Sequence, residues 1–372
     1  MSSLGAFLFV VALLFSIGLH ELGHLGTAKM FGIKVQQYFI GFGPKIWSTF
    51  RGETEYGVKA LPLGGFVRIA GMNPFEEIPP EDAGRVFKAK KPWQRAIVLA
   101  AGSFTHFVLA IVILVAVLAA TGKPEAQPVI GRIADGVEGR PAPSTAAGFE
   151  EGDRFVEIDG IVVTSWDQMV ELLHDRPGET VEILVERDGE RLTLRPALEP
   201  AKPDGTPVGY LGVGPALETV PYSFGGVFVE SGKQFGEAIV GSLKGLQSIF
   251  SPSSLNRIFS QIAGDTERTS QDPATIVGLT DQAGNLASTG DFTTFFLLIA
   301  AFNIFIGVAN LLPLPPLDGG HLAVLAFEKV SRKDVDMRKL LPVTATVIFL
   351  FGSLFFMLLW LDITNPLPAI PG

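Results

Sequence analysis

The stretch Leu13-Leu14-Phe15-Ser16-Ile17-Gly18-Leu19-His20-Glu21-Leu22-Gly23-His24 places two histidines and a glutamate at the end of an apolar run that begins near residue 3. A helix needs about 20 predominantly apolar residues to cross a bilayer core, so residues 3–27 read as a membrane span. No Lys or Arg opens the run and no small-residue cleavage site precedes its polar residues, so it reads as a retained span rather than a signal peptide. Helical residues four apart are neighbours, which lets His20 and His24 face one metal ion with Glu21 beside them. An ionisable group at mid-span costs about 2.5–3.5 kcal/mol on insertion scales, and a bound divalent ion would offset that cost. The plainer alternative is that all three are satisfied by polar neighbours inside a helix bundle.

Three more stretches, 96–121, 292–312 and 340–361, have the length and apolarity of spans. The whole composition agrees: 47% of the 372 residues are hydrophobic, 18% are charged and the mean hydropathy is +0.37, values unusual for a soluble protein. The absence of cysteine excludes disulfides, iron–sulfur clusters, zinc knuckles and a Cys nucleophile, so a metal site must draw on His, Asp or Glu. A net charge of −9 argues against a nucleic-acid binder, because neutralising phosphates takes a basic surface that this composition lacks.

Lys and Arg set the orientation. Residues 28–93 carry ten and residues 322–339 carry five, so both segments are expected in the cytoplasm and the N-terminus outside. Residues 122–291 carry 13 basic and 26 acidic residues, a net of −13, and by parity lie on the extracytoplasmic side.

The expected domains are 1–121 (spans one and two), 122–202 (a small soluble domain), 203–291 (linker and amphipathic helix) and 292–372 (spans three and four). Between the first two spans, Glu55–Ala60 and Phe66–Ala70 flank Leu61-Pro62-Leu63-Gly64-Gly65, which reads as a β-hairpin or a pair of strands with an open edge. In the soluble domain, Val181, Ile183 and Val185 alternate before Asp188-Gly189, and Asp159-Gly160 joins two further short strands. Ser165 with Gln168 opens a helix over Trp166–His174, whose terminal His174 is expected at the surface. This order of strand, Asp-Gly, strand and helix after Ala146-Ala147-Gly148-Phe149 resembles a PDZ domain of the bacterial protease type, which implies a peptide added as a strand. After a Pro and Gly linker, Phe224, Phe228, Phe235, Ile239, Leu243, Leu246 and Phe250 mark an amphipathic helix, either packed on its own domain or lying in the membrane interface. Residues 251–291 read as polar and irregular.

A tetrahedral catalytic zinc takes three protein ligands and keeps one position for water. Span three runs into Asn310-Leu311-Leu312-Pro313-Leu314-Pro315-Pro316-Leu317-Asp318-Gly319-Gly320, where proline ends the helix and one carboxylate follows. Spans one and three both run inward, so His20, His24 and Asp318 reach the same side of the membrane. An Asp-Gly turn that merely terminates a helix is the alternative for Asp318.

His-Glu-Leu-Gly-His, Pro62-Leu63-Gly64-Gly65-Phe66-Val67, the PDZ-like module and Asn310-x-x-Pro-x-Pro-x-Leu-Asp318-Gly together resemble the site-2 protease family of intramembrane zinc metalloproteases, of the bacterial regulator-of-sigma-E type but with a single PDZ domain. The resemblance implies an α-helical membrane protein with four transmembrane helices, a membrane-associated β-hairpin or sheet and one extracytoplasmic α+β PDZ domain. It implies His20, His24 and Asp318 as Zn2+ ligands, Glu21 as general base, and Asn310 as the residue that positions substrate or stabilises the oxyanion. Gly64, Gly65, Phe66, Val67 and Arg68 match an edge strand that pairs with unwound substrate. Where related sequences often read Gly-Pro-x-x-Asn, this one reads Gly102-Ser103-Phe104-Thr105-His106, so His106 contacts substrate, supports a zinc ligand or is simply buried in the bundle. His321 reads as a structural or supporting residue. The implied location is the bacterial inner (plasma) membrane, with the active site near the cytoplasmic side. The implied partners are membrane lipid and single-span substrates such as trimmed anti-sigma factors and remnant signal peptides, with a peptide C-terminus at the PDZ domain. A catalytically inactive membrane PDZ scaffold and a divalent-metal transporter are the rival readings; Glu21 argues against the first, and the lack of internal repeats against the second.

Overall fold

The computed structural model of the chain describes residues 2–73, 75–135, 141–201, 207–269, 272–333 and 335–368. In chain order, α1 (Ser2–Met30) leads into β1 (Val35–Arg51) and β2 (Thr54–Ile69), and then α2 (Pro92–Thr121). Next come β3 (Lys123–Ile133), α3 (Pro143–Ala147), β4 (Arg154–Ile158), β5 (Ile161–Val162), α4 (Trp166–His174), β6 (Ile183–Arg187) and β7 (Glu190–Leu194). Three more strands, β8 (Glu199–Ala201), β9 (Val208–Tyr210) and β10 (Val213–Val220), precede the helices α5 (Phe224–Ile249), α6 (Pro252–Ala263) and α7 (Ile276–Thr289). The chain closes with α8 (Phe292–Asn310), α9 (Asp318–Ser331) and α10 (Leu341–Thr364). Ser3–Met30, Pro92–Thr121, Phe292–Asn310 and Arg338–Thr364 are long and apolar enough to cross a membrane, matching the four expected spans.

The chain forms two compact units, 1–118 with 224–372, and 119–223. In the first, β1 and β2 pair antiparallel, but not as the sequence suggests. Residues 37–40 pair with 55–58 on one side and with 65–68 on the other, while 45–51 pair with 54–59. The runs Glu55–Ala60 and Phe66–Ala70 therefore do not form a hairpin with each other; they flank β1 in a curled sheet. Each long strand has to fold over to do this, and β1 does so at Gly41 and Gly43, whose φ values of 91° and 79° suit glycine. Glu55 knots the segments together by accepting hydrogen bonds from Lys45 Nζ (2.7 Å), Ser48 Oγ (2.8 Å) and Gln37 Nε2 (3.0 Å). Lys45, with Ser48 and Gln37, pulls the Glu55 carboxyl down to about 2. Segment 65–69 has an outer edge that no other strand occupies among the described residues.

One apolar core ties the end of α1 to this sheet, α2 and α9 through Leu25, Ala28, Val35, Ile69, Val98, Leu99 and Leu325. A second joins α1 and α8 to α7 through Phe9, Leu13, Ala283, Leu286, Phe295 and Phe302. The expectation that 251–291 is irregular is thus overturned, since α6 and α7 occupy most of it. In α7, Leu279, Ala283, Leu286 and Ala287 form a short apolar stripe that polar residues on the other faces obscure in the sequence. A Cβ placed on Gly5 of α1 would stand 2.3 Å from Ala287 Cβ and 2.9 Å from Ala283 O, so the two helices meet nearly backbone to backbone. The expected amphipathic helix is α5, whose inner face joins Ala110, Ala300 and Ile304 through Leu246 and meets Phe107 edge to face through Phe235.

In the second unit the strand order is β10-β3-β4-β6-β7, with β5 beside β4. Asp159-Gly160 and Asp188-Gly189 turn with positive φ at both residues (47° and 80°; 51° and 84°), the conformation that a two-residue hairpin needs. Ser165 Oγ accepts from Gln168 N at 3.2 Å and caps α4 as the Ser-x-x-Gln pattern predicts. His174 is exposed. Phe149, Phe155, Ile158, Trp166, Met169 and Val185 form the core. This unit runs past the expected end at residue 202, because β10 pairs with β3 from Val213 to Val220 and completes the sheet. With Gly214 and Pro215 inside it, β10 reads as linker rather than strand. Residues 203–206 of the expected linker lie outside the described residues.

Candidate metal centre

The α1 helix carries its polar end by bonding side chains back to its own carbonyls: Ser16 Oγ donates to Ala12 O at 2.9 Å and Thr27 Oγ1 to Gly23 O at 2.8 Å. One turn apart on this helix, His20 and His24 bring their Nε2 atoms to 3.2 Å. Asp318 opens α9 and reaches the same point, with Oδ2 3.5 Å from His20 Nε2 and 3.3 Å from His24 Nε2. Three ligands of a tetrahedral zinc at about 2.0–2.1 Å stand roughly 3.3 Å apart, so all three sides of this triangle have the required length.

The protonation pattern fits a cation as well. His24 Nδ1 lies 2.7 Å from Val98 O, and a carbonyl can only accept, so the proton is on Nδ1 and the Nε2 lone pair points at the triangle. Asp318 Oδ2 is buried without a hydrogen-bond partner, opposite two imidazole nitrogens. A buried carboxylate oxygen left in this way is costly unless a positive charge faces it.

Glycines on α1 and α2 make room for the imidazoles. A Cβ on Gly102 would lie 2.4 Å from His24 Nε2 and 2.5 Å from His20 Cε1, and one on Gly23 would lie 2.7 Å from Ala101 O. The two helices therefore approach most closely where the rings need space. On the Asp318 side, a Cβ on Gly319 would fall 2.2 Å from Leu311 O, so the Pro-rich loop folds tightly against the start of α9.

The cleft around the triangle holds about 170 Å3 and is lined by His20, Glu21, His24, Gly65, Phe66, Val67, Ile69, Met72, Val98, Leu99 and Asp318. The structure thus gathers seven of the sequence-derived site residues: His20, Glu21, His24, Asp318, Gly65, Phe66 and Val67. Gly65 lies close to Glu21, where a Cβ would come to 3.0 Å from Glu21 Cγ. Gly64, Arg68, His106 and Asn310 are not in the wall of this cleft among the described residues. Arg68 is exposed and lies 3.8 Å from Glu76, and Asn310 ends α8 half-buried. His106 is buried, its ring 5.1 Å from that of His20, and its Nδ1 meets Asn303 Oδ1 at 2.8 Å. His321 lines a separate small cleft with Met72, Arg95 and Glu328.

Sequence reasoning missed Val98, Gly102 and Asn303. Val98 acts through its carbonyl, which no residue type announces. Asn303 Nδ2 donates to Ile299 O at 2.8 Å, which leaves Oδ1 to accept from His106 Nδ1. A lone Asn in the middle of an apolar span was the available signal.

Comparison with known proteins matches residues 8–370 to the model of peptidase family M50. The zinc metalloprotease Rip1 of Mycobacterium tuberculosis is 36% identical over 403 residues, covering 98% of each chain. Zinc metalloprotease RasP of Bacillus licheniformis is 30% identical over 425 residues, covering 93% of this chain and 94% of its own. The crystal structure of the PDZ domain of an SdrC-like protein from Listeria monocytogenes covers 24% of this chain and 88% of its own at 22% identity, with a TM-score of 0.21. From the first span to the last, this chain belongs to peptidase family M50, the site-2 protease family.

Proposed function

We propose that the chain is a zinc endopeptidase of the bacterial inner (plasma) membrane that hydrolyses a peptide bond within or next to a transmembrane segment of a single-span protein. The observation that carries this reading is the 3.2, 3.3 and 3.5 Å triangle of His20, His24 and Asp318, set in one cleft with Glu21. His20 Nε2, His24 Nε2 and Asp318 Oδ2 would hold the ion, and the relatives, zinc metalloproteases, favour zinc. Bound by three protein ligands, zinc supplies a Lewis acid and makes water a nucleophile near neutral pH.

The chain's own residues do the rest. Glu21 takes one proton from the attacking water and passes it to the leaving amine nitrogen, while the hydroxyl ends on the carbonyl carbon. Val98 O holds the His24 ring in the tautomer and orientation that ligation requires. A helical substrate hides its peptide groups in its own hydrogen bonds and must unwind to be cut, and the freed groups cannot stay unpaired in hydrocarbon. The outer edge of 65–69, beside Glu21, offers them partners by strand addition.

Ile46, Trp47 and Phe50, at 69%, 59% and 71% exposure, fit a sheet that dips into the membrane interface. The Lys and Arg distribution supports a cytoplasmic site with the N-terminus and unit 119–223 outside, the latter acting as a PDZ domain that docks a newly made peptide C-terminus or filters substrates by size. Anti-sigma factors trimmed by a first protease and remnant signal peptides are substrates of the right form.

Co-expression with a tagged single-span anti-sigma factor tests the reading, with zinc measured in each purified protein. Glu21→Gln should keep zinc and lose cleavage, and Asp318→Ala should lose both. Unchanged processing in both variants would reject the enzyme, and a scaffold would behave in that way.

A further inference from the structure

A further cleft, predominantly apolar, lies between the Pro-rich loop, α9 and the start of α10. Pro313, Pro315, Ala323, Phe327, Leu340 and Val343 line it, and at about 370 Å3 it falls in the range of small-molecule sites, about 300–1,000 Å3. Phe327 and Val343 remain 59% and 46% exposed, so the wall is not closed by the protein itself.

The charge around it is lopsided. Residues 329–339 hold five basic side chains (Lys329, Arg332, Lys333, Arg338 and Lys339) and two acidic ones (Asp334 and Asp336), a net of +3. Val335 and Leu340, which line the cleft, sit within two residues of Lys333 and directly after Lys339. Arg332, Lys333 and Lys339 are exposed and form no ion pair among the described residues. Arg338, by contrast, stacks its guanidinium 5.2 Å over the Phe75 ring.

Arg338–Thr364 is the fourth candidate span, so the cleft, with Leu340 and Val343 in its wall, lies at the start of that span, and Lys333 and Lys339 adjoin its lining residues along the chain. Basic pockets beside spanning helices suit anionic headgroups. The floor selects the rest of the ligand. A peptide backbone brings N–H and C=O groups that an apolar wall cannot satisfy, whereas an acyl chain brings none.

We propose that this cleft binds an anionic phospholipid, with an acyl chain against Phe327, Leu340 and Val343 and the phosphate headgroup on Lys333 and Lys339. Pro313, Pro315 and Gly320, in its wall, belong to the loop and helix that carry Asp318, so the bound lipid touches the support of that carboxylate. The proposal rests on the reading of α10 as a span, not on the catalytic reading.

The test is native mass spectrometry of the full-length protein titrated with phosphatidylglycerol or phosphatidylcholine. Phosphatidylglycerol should be retained more strongly. Neutralising the rim with Lys333→Gln and Lys339→Gln should weaken it by about fivefold per charge removed and leave phosphatidylcholine unchanged. Val343→Trp, which fills the floor, should also lower phosphatidylglycerol retention. Lys88→Gln with Lys91→Gln, both exposed before α2, removes the same charge elsewhere and should change nothing. Equal retention of the two lipids by the wild type, or an equal loss in the Lys88 and Lys91 control, would overturn the site. Zinc content, measured alongside, reports separately on the metal centre, so a failure there is distinguishable from a failure here.

Discussion

Replacing Gly102 with alanine tests the metal centre from the side that the sequence did not reveal. The added methyl would sit 2.4 Å from His24 Nε2, 2.5 Å from His20 Cε1 and 2.7 Å from His20 Nδ1. An ordinary carbon contact needs about 3.5 Å, so the rings or α2 must give way by roughly 1 Å. Metal–ligand distances tolerate only about 0.2 Å, so the triangle cannot survive with both imidazoles in place. Changes that merely touch the supports of ligands already cost about 10–100-fold in metal affinity, and displacing a ligand itself should cost at least the upper end of that range. Helix propensity pulls the other way, since Gly→Ala in a helix interior stabilises it by about 1 kcal/mol, so zinc loss could not be blamed on a weakened α2. The assay is zinc content and chelator competition on purified Gly102→Ala, beside Glu21→Gln as a variant that keeps its ligands. Wild-type zinc affinity in Gly102→Ala would refute the placement of the two rings against α2.

Other perturbations probe the surroundings. Asn303→Ala should leave the buried His106 Nδ1–H unpaired, at a cost of about 1–3 kcal/mol, and lower the thermal midpoint of the membrane unit; an unchanged midpoint would contradict the pairing. Gly65→Val should push the strand away from Glu21 and cut substrate cleavage at least about tenfold while zinc stays bound, whereas Gly102→Ala should lose the zinc itself. In unit 119–223, burial alone would raise the Asp153 carboxyl, but the Arg187 guanidinium, at 2.7 and 2.8 Å, outweighs it and holds the carboxyl below the usual range. A depressed folded value stabilises above the unfolded value of about 3.9 and is lost as pH falls through the folded one, so the unit should weaken below about pH 4. Asp153→Asn should remove that acid dependence and cost about 1.5–3 kcal/mol at neutral pH, less than an uncompensated buried charge because the Arg187 side chain stays 22% exposed and keeps Glu150 at 2.7 Å. Denaturation followed at pH 3 to 7 reads both.

Much of the site could be read from the chain because its chemistry is local. Two histidines at i and i+4 share a helix face whatever surrounds them, and an apolar run long enough to cross a bilayer announces itself by length. The Asp-Gly turns and the Ser165 cap are likewise decided within four residues. Asp318 could be matched to the histidines because parity of the spans constrains depth without any knowledge of packing.

The rest depended on distances between segments far apart in the chain. That residues 37–40 separate the two runs of β2, that β10 completes the soluble sheet and that α7 packs on Gly5 all follow from which surfaces meet, and periodicity along one segment cannot report its partner. Gly102, Val98 and Asn303 act through an absent side chain, a backbone carbonyl and an amide in an apolar helix. Residue types and spacing determined which atoms could bind a metal; only the close approach of α1, α2 and α9 decided that three of them stand about 3.3 Å apart, because that spacing is set by backbone contact at glycine and not by any property of the ligands themselves.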